Sequence, residues 1–386
     1  MKKDSVIFLT SEFPFPVNNG AKIREAHFIN LMLENNEVEV LCFSAEVAPN
    51  KTLVTPSEFE SVPEQLRVSY VPNGRTSIWK HLVHAFRPSL VTAYNEKMVK
   101  ALRERATPGR LLWISHLGMA PYLHLAHSLG YRVILDEHAV HSKVTHWLQF
   151  FSAARMARYE GRFCAEADIV VAASDIDASR LQKLVPKKRV HVIPNAVNLP
   201  IYESLRQSTG TTLFFSGSLD YEPNIEGLNW FVDEIVPKLK SSLGSTLPRI
   251  VVAGANPSAQ FLKRLQESGV ETHANPATIF PLLSEASVVF VPIKSGGGTR
   301  FKILEAMAAG RAVVSTGKGV EGLILTPAKD IWIADKADAF ATAILRLLRD
   351  PELRSRTGAF AVKTVEERYD WRCTRPLMQS LLKSLV

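Results

Sequence analysis

The groups best placed to do chemistry crowd into one stretch, Val288-Val-Phe-Val-Pro-Ile-Lys-Ser-Gly-Gly-Gly-Thr-Arg-Phe-Lys-Ile-Leu-Glu-Ala-Met-Ala-Ala-Gly310. The pattern predicts a buried strand, a glycine-rich turn and a helix closed by Gly310. Gly296, Gly297 and Gly298 have no Cβ, so their backbone can approach a ligand closely and turn N–H groups toward it. Thr299 has the chemistry of an N-cap. The helix start then offers unpaired N–H groups and the positive end of a dipole, a site suited to phosphate. Arg300 and Lys302 fall where cations oppose that dipole, a poor structural choice that an anionic ligand reverses. Glu305 is the one acid on an otherwise mostly apolar helix, and a carboxylate can accept two hydrogen bonds from a vicinal diol such as a ribose.

These groups need a framework that holds strand ends and helix starts together. Short apolar runs alternate with helical patterns, which predicts parallel α/β architecture. In the first half, strands are expected at 5–10, 38–43, 111–115, 133–136, 169–173 and 190–193, with helices at 25–33 and 152–166. The polar stretch 195–210 has no period and reads as a linker. The pattern then restarts, with strands at 211–216, 249–253, 271–273, 288–292, 312–315 and 331–333. Helices are expected at 225–239, 279–285, 299–309 and 336–348, and a helical tail from 357 breaks at Tyr369-Asp370-Trp371. Two α/β halves imply a cleft with ligands at the carboxyl ends of the strands.

Three cysteines (Cys42, Cys164, Cys373) sit far apart among 386 residues, which gives no disulfide framework or zinc spacing and suits a reducing cytoplasm. The apolar run after Lys2 and Lys3 is too short for a signal peptide, and no run is long enough to span a membrane. The net charge of +8 concentrates between Arg75 and Arg110, where eight basic residues face two acids, Glu96 and Glu104. Nucleic-acid binding would call for interleaved aromatic residues and a binding motif, and neither is present. A solvated helix face and a contact with anionic membrane both remain open, and Trp79, Leu82, Val83 and Phe86 lean toward the second. Asp175-Ile-Asp177 has the form of a metal-holding D-x-D, but Ser174 before it makes a helix cap the better reading. His138 and His141 lack a third ligand for a metal. Neither half carries the G-x-G-x-x-G of a nicotinamide-dependent dehydrogenase.

The glycine stretch resembles the donor-site signature of GT-B-fold glycosyltransferases of family 4, in the form GGGTR-x-K-I-L-E-A-M-A-x-G. Phe214-Phe-Ser-Gly-Ser-Leu-Asp-Tyr-Glu-Pro-Asn224, Ile250-Val-Val-Ala-Gly254, Ile193-Pro-Asn-Ala-Val-Asn198 and Gly319-Val-Glu-Gly322 agree in order, so the resemblance spans nearly the whole chain. It implies two Rossmann-like domains facing each other across a cleft: 1–198 on the acceptor side, 199–370 binding the donor nucleotide, and a helix over 371–386 crossing back.

The resemblance also implies roles. Gly296, Gly297, Gly298 and Thr299 would hold a diphosphate, Arg300 and Lys302 would offset its charge, and Glu305 would hold the ribose. Gly217 and Ser218 would form the opposing lip. In the first half, Gly20 opens a helix whose N–H groups can face the phosphates or the sugar. His138 would touch the transferring sugar, with Asp136 and then His116 as further candidates at strand ends. The family's pattern places a glutamate where Gly297 stands. The implied reaction is transfer of a sugar from a UDP or GDP sugar to a hydroxyl of a glycan or lipid-linked acceptor. It would be retaining and independent of metal, serve cell-surface polysaccharide or glycolipid synthesis, and run in the cytoplasm or at the inner face of the membrane. A non-catalytic scaffold and a GT-B sugar-nucleotide epimerase are the alternatives.

Overall fold

The structure, a computed structural model, describes residues 4–15, 17, 19–43, 62–72, 94–140, 150–206 and 212–384. The first half builds one parallel sheet from β1 (Asp4–Leu9), β2 (Asn36–Phe43), β3 (Arg67–Val71), β4 (Leu111–Ser115), β5 (Arg132–Glu137), β6 (Ile169–Ala172) and β7 (Val190–Val192). The second half builds another from β8 (Thr212–Ser216), β9 (Ile250–Gly254), β10 (Val270–Ala274), β11 (Ala286–Val291), β12 (Ala312–Ser315) and β13 (Trp332–Ile333). Strand orders are β3-β2-β1-β4-β5-β6-β7 and β10-β9-β8-β11-β12-β13.

Both orders reverse once, between β1 and β4 and between β8 and β11. Connections leave in opposite directions at such a point, and a crevice opens at the strands' carboxyl ends. The runs that form these centres are buried on both faces, which is why Val-Ile-Phe-Leu in β1 and Ser-Val-Val-Phe-Val in β11 lack alternation. Helices Gly20–Leu33, after β1, and Phe301–Ala308, after β11, start at these two reversals.

Several expectations shift. The segment 195–210 is not a plain linker, because Leu199–Leu205 forms a 3₁₀ helix that buries Leu199, Tyr202 and Leu205. The 225–239 helix runs longer, over Glu222–Trp230 and Val236–Leu243 with a π-helical turn at Phe231–Ile235 between them. The tail forms helices Pro351–Arg368 and Trp371–Lys383 around the break. Ser174 caps helix Asp175–Leu184, accepting from the Asp177 N–H at 3.1 Å, so the D-x-D serves a helix start.

Most of the basic stretch, including Arg75, Trp79, Leu82, Val83 and Phe86, lies outside the described residues, as does His141. Within its described part, Arg105 and Arg110 are taken up by Glu39 at 2.6 and 3.6 Å. No described helix is long and apolar enough to cross a membrane.

Candidate functional site

A cavity of about 680 Å³ opens between the two sheets at both reversals, a size suited to a small organic ligand. Gly20, His138, Gly217, Ser218, Gly297, Gly298, Thr299, Arg300, Lys302 and Glu305 line it together, residues drawn from both halves of the chain. Gly296 does not line it. That residue turns the chain behind the wall with φ +83, and a Cβ there would meet the Tyr221 hydroxyl at 2.7 Å.

The second-half wall is built from backbone and cation. β8 ends into Gly217, where a Cβ would strike the Lys302 Nζ at 2.5 Å, so glycine makes room for the lysine. β11 feeds the loop carrying Gly298, whose φ of +75 favours glycine. Helix Phe301–Ala308 begins with Arg300 at its N-cap and has no side-chain cap bond. Thr299 is therefore not the N-cap. Its hydroxyl instead accepts from the Asn195 amide at 2.6 Å, an interaction between the two halves. The first N–H groups of this helix are left without a side-chain cap beside the cavity.

The cations there have neutral partners. Arg300 donates from Nη2 to the Ser295 carbonyl at 3.0 Å and from Nη1 to the Gly297 carbonyl, while its buried Nε has no partner. Lys302 donates to the Asn224 amide oxygen at 2.9 Å and lies 3.9 Å over the Phe215 ring. Burial lowers the pKa of Arg300, and burial with Arg300 alongside pushes Lys302 well below the lysine range. Two partly desolvated cations with no carboxylate at ion-pair distance among the described residues are costly to fold and ready for an anion. Glu305 is buried. Burial raises its carboxyl to about 7, against the opposing influence of Lys302 and of the Tyr202 hydroxyl at 3.5 Å.

The first-half wall is a hydrogen-bond network. Asp136 does not face the cavity, contrary to the expectation from its strand-end position. It belongs to β5, is fully buried, and is clamped by Arg24 Nε and Nη2 at 3.0 and 2.7 Å. Burial alone would raise its pKa, but Arg24 and His138 bring it down to about 2. The Nε2 of His138 lies 3.2 Å from Asp136 Oδ2 and 3.1 Å from Ser115 Oγ. The Ser115 hydroxyl hydrogen goes to Glu25 Oε1 at 2.6 Å, so Ser115 and Asp136 can both only accept. In the neutral ring the proton therefore sits on Nε2. That leaves Nδ1 as the acceptor for a ligand in the cavity His138 lines.

His116 stands at the end of β4 with φ 56, rare for a non-glycine residue, and its ring contacts that of His138 edge-on at 5.9 Å. Its Nδ1 accepts from the Gly118 N–H and its Nε2 faces Ser11 Oγ at 3.0 Å; it does not line the cavity.

Arg24, Asn195, Tyr202, Tyr221 and Asn224 are the participants that spacing did not pick out. Asn195, Tyr221 and Asn224 do fall inside stretches the sequence singled out, but lone amides and a lone phenol carry no periodic signal. Among the described residues no group of three His, Cys, Asp or Glu side chains could hold a metal.

Residues 210–350 match the family model described as glycosyl transferases group 1, and residues 31–200 match glycosyltransferase family 4. No curated protein sequence matches the chain. Among solved structures, the sucrose-phosphate synthase of Thermosynechococcus elongatus is similar at 17% identity, with a TM-score of 0.76 and 99% of each chain covered. Anabaena HepE in complex with UDP and glucose matches at 14% identity and a TM-score of 0.70, covering 98% of this chain and 99% of that one. A trehalose 6-phosphate synthase from Burkholderia multivorans matches at 11% identity and a TM-score of 0.69, covering both chains fully. These likenesses share the two-domain GT-B fold.

Proposed function

We propose, from the premise that this chain belongs to the family 4, group 1 glycosyltransferases of GT-B fold, that its cavity binds a nucleoside-diphosphate sugar and passes the sugar to an acceptor hydroxyl. One observation carries the reading. Arg300 and Lys302 are partly buried cations with neutral hydrogen-bond partners, set beside an uncapped helix start in a cavity that Glu305 also lines. A diphosphate would supply the missing negative charge, and Glu305 would accept from the ribose diol.

In the reaction, the bond from the anomeric carbon to the diphosphate breaks as the acceptor oxygen bonds to that carbon and passes its proton to the departing diphosphate oxygen. Charge builds on the leaving diphosphate, and the preorganised N–H groups, Arg300 and Lys302 stabilise it. His138, with Nδ1 free, orients a hydroxyl of the transferring sugar. Same-face attack goes with this reading: of the two acids lining the cavity, Glu305 is assigned to the ribose and Asp220 follows the Gly217-Ser218 lip on the donor half. UDP is the first nucleotide to try, because a structural neighbour is described in complex with UDP and glucose. A glycan or lipid-linked acceptor accords with the basic character of the sequence over 75–110.

Thermal unfolding with UDP, GDP and their sugars tests the reading. A ligand held only by the native state at about 100 times its Kd stabilises by about 2.7 kcal/mol. At least one of these should raise the midpoint, and Lys302→Ala should weaken it about 10- to 100-fold, the worth of a charged hydrogen bond. No shift with any of them would overturn the donor assignment. Sedimenting the same protein with anionic vesicles at low salt tests the membrane contact, and a protein left in the supernatant removes it.

A further inference from the structure

Arg24 is among the largest fully buried side chains of the protein, although it carries a permanent charge. It belongs to the helix Gly20–Leu33 and its guanidinium reaches three residues in two other segments. Nε and Nη2 grip both Asp136 oxygens; Nη1 donates to the Ile193 carbonyl at 2.8 Å and to the Asn195 side-chain oxygen at 3.0 Å. From Asp136 the chain of bonds continues to His138. From Asn195 it continues across the domain boundary to Thr299 beside the glycine loop. A buried ion pair is a poor way to gain stability, since apolar residues of the same volume do as well or better. Its fork does offer fixed geometry that neither Lys nor an apolar residue can copy.

We propose that Arg24 is a positioning residue for the transfer step: it aims Asp136 so that the carboxylate fixes His138 with the proton on Nε2, and through Asn195 it sets where the donor loop stands against His138. The inference rests on the nucleotide-sugar reading for its kinetic consequence but not for its structural one. With Asp136 held by two parallel bonds, the carboxylate cannot rotate away from His138. With Asn195 Oδ1 facing Arg24, its amide hydrogens must point at Thr299. First-half and second-half groups then share one rigid reference.

The test uses Arg24→Lys in the full chain, which keeps the charge and loses the fork. Nitrogen-15 spectra of the histidine rings should show His138 as the Nε2–H form in the parent and a mixed or Nδ1–H form in the variant. The transfer rate kcat should fall about 10²-fold, the scale of a 1 Å misplacement. UDP affinity and the donor KM should change by less than threefold. An unchanged His138 spectrum with unchanged kcat overturns the proposal, and so does UDP affinity falling in step with kcat, which would put Arg24 in the nucleotide site itself. If Arg24→Lys fails to fold, Asn195→Ala removes no charge and carries the kinetic half: a loss confined to kcat supports the proposal and an unchanged kcat overturns it. A parent protein that binds no nucleoside diphosphate would defeat the donor reading, while the histidine spectra would still decide the positioning of His138.

Discussion

At Glu305, burial and binding pull in opposite directions. Its carboxyl titrates near 7 in the folded protein and near 4.5 when unfolded. The folded state therefore holds more protons between these values. Its contribution to stability is complete below pH 4.5 and is lost as pH rises through 7, by about 3 kcal/mol at one pKa unit per 1.36 kcal/mol. Glu305→Gln should raise the unfolding midpoint at pH 8 and leave it nearly unchanged at pH 4. Ribose hydroxyls that donate to the ionised form would draw the pKa down, so binding should release a proton. Affinity for a UDP sugar, a diphosphate diester with no titration of its own near 7, should increase about tenfold from pH 6 to pH 8. Calorimetry in buffers of different ionisation enthalpy reads both effects, and a pH-independent affinity would separate Glu305 from the ligand. Glu305 was legible in the sequence as a lone acid in an apolar helical pattern. Arg24 was not, because ten residues of its helix are buried, on nearly every face. A helix without a polar stripe gives no contrast against which a buried cation stands out.

Elements were legible where two signals coincided. β11, the glycine turn and helix Phe301–Ala308 combined an apolar run, glycines and a helical period. β3 escaped because its residues are partly exposed and mixed in type. The helical turn Leu199–Leu205 escaped because seven residues are too few for a period to show. The N-cap was misplaced by one residue because Thr299 is drawn to Asn195, a partner far away in sequence. The glycine loop makes a graded prediction. A Cβ on Gly298 would lie 3.2 Å from the His138 carbonyl oxygen in a backbone of φ +75. On Gly297 it would lie 3.3 Å from the Val140 carbonyl oxygen, and there no positive φ adds strain. Gly298→Ala should therefore cost about 1–2 kcal/mol from the left-handed backbone, and Gly297→Ala less. Chemical denaturation of both variants checks the order, and equal or reversed losses would show that the loop is not held against His138 as described. The position where the family's pattern has a glutamate is thus one where the 138–140 segment seats directly on backbone.

Two contacts between distant segments belong to the whole molecule and no local pattern announced them. Arg180 meets Glu321 at 2.7 Å, with Lys318 3.0 Å from the same carboxylate. The helix Trp371–Lys383 packs on helix Gly20–Leu33, where His27 stacks on Trp371 at 4.5 Å and bonds Thr374 at 2.7 Å. Thr374 gives its hydroxyl hydrogen to the Trp371 carbonyl at 2.9 Å, so His27 must donate from Nε2. The other ring nitrogen, Nδ1, is buried and has no partner. Burial, with Arg24 and Arg375 nearby, lowers His27 from 6.5 to about 3. A base with a depressed folded pKa stabilises fully above 6.5 and loses that contribution as pH falls toward 3. At pH 5 the loss is about 2 kcal/mol. It falls on the contact that fastens the C-terminal helix to the first domain, made by the same helix that bears Arg24. Over the same interval Glu305 contributes a gain of similar size, in wild type and variant alike, so the His27 effect is read as a difference between two proteins. His27→Phe, which keeps a ring against Trp371 and cannot titrate, should become more stable relative to wild type as pH falls from 7 to 5. Parallel pH curves for the two proteins would clear His27 of this acid sensitivity and leave it to the other buried groups.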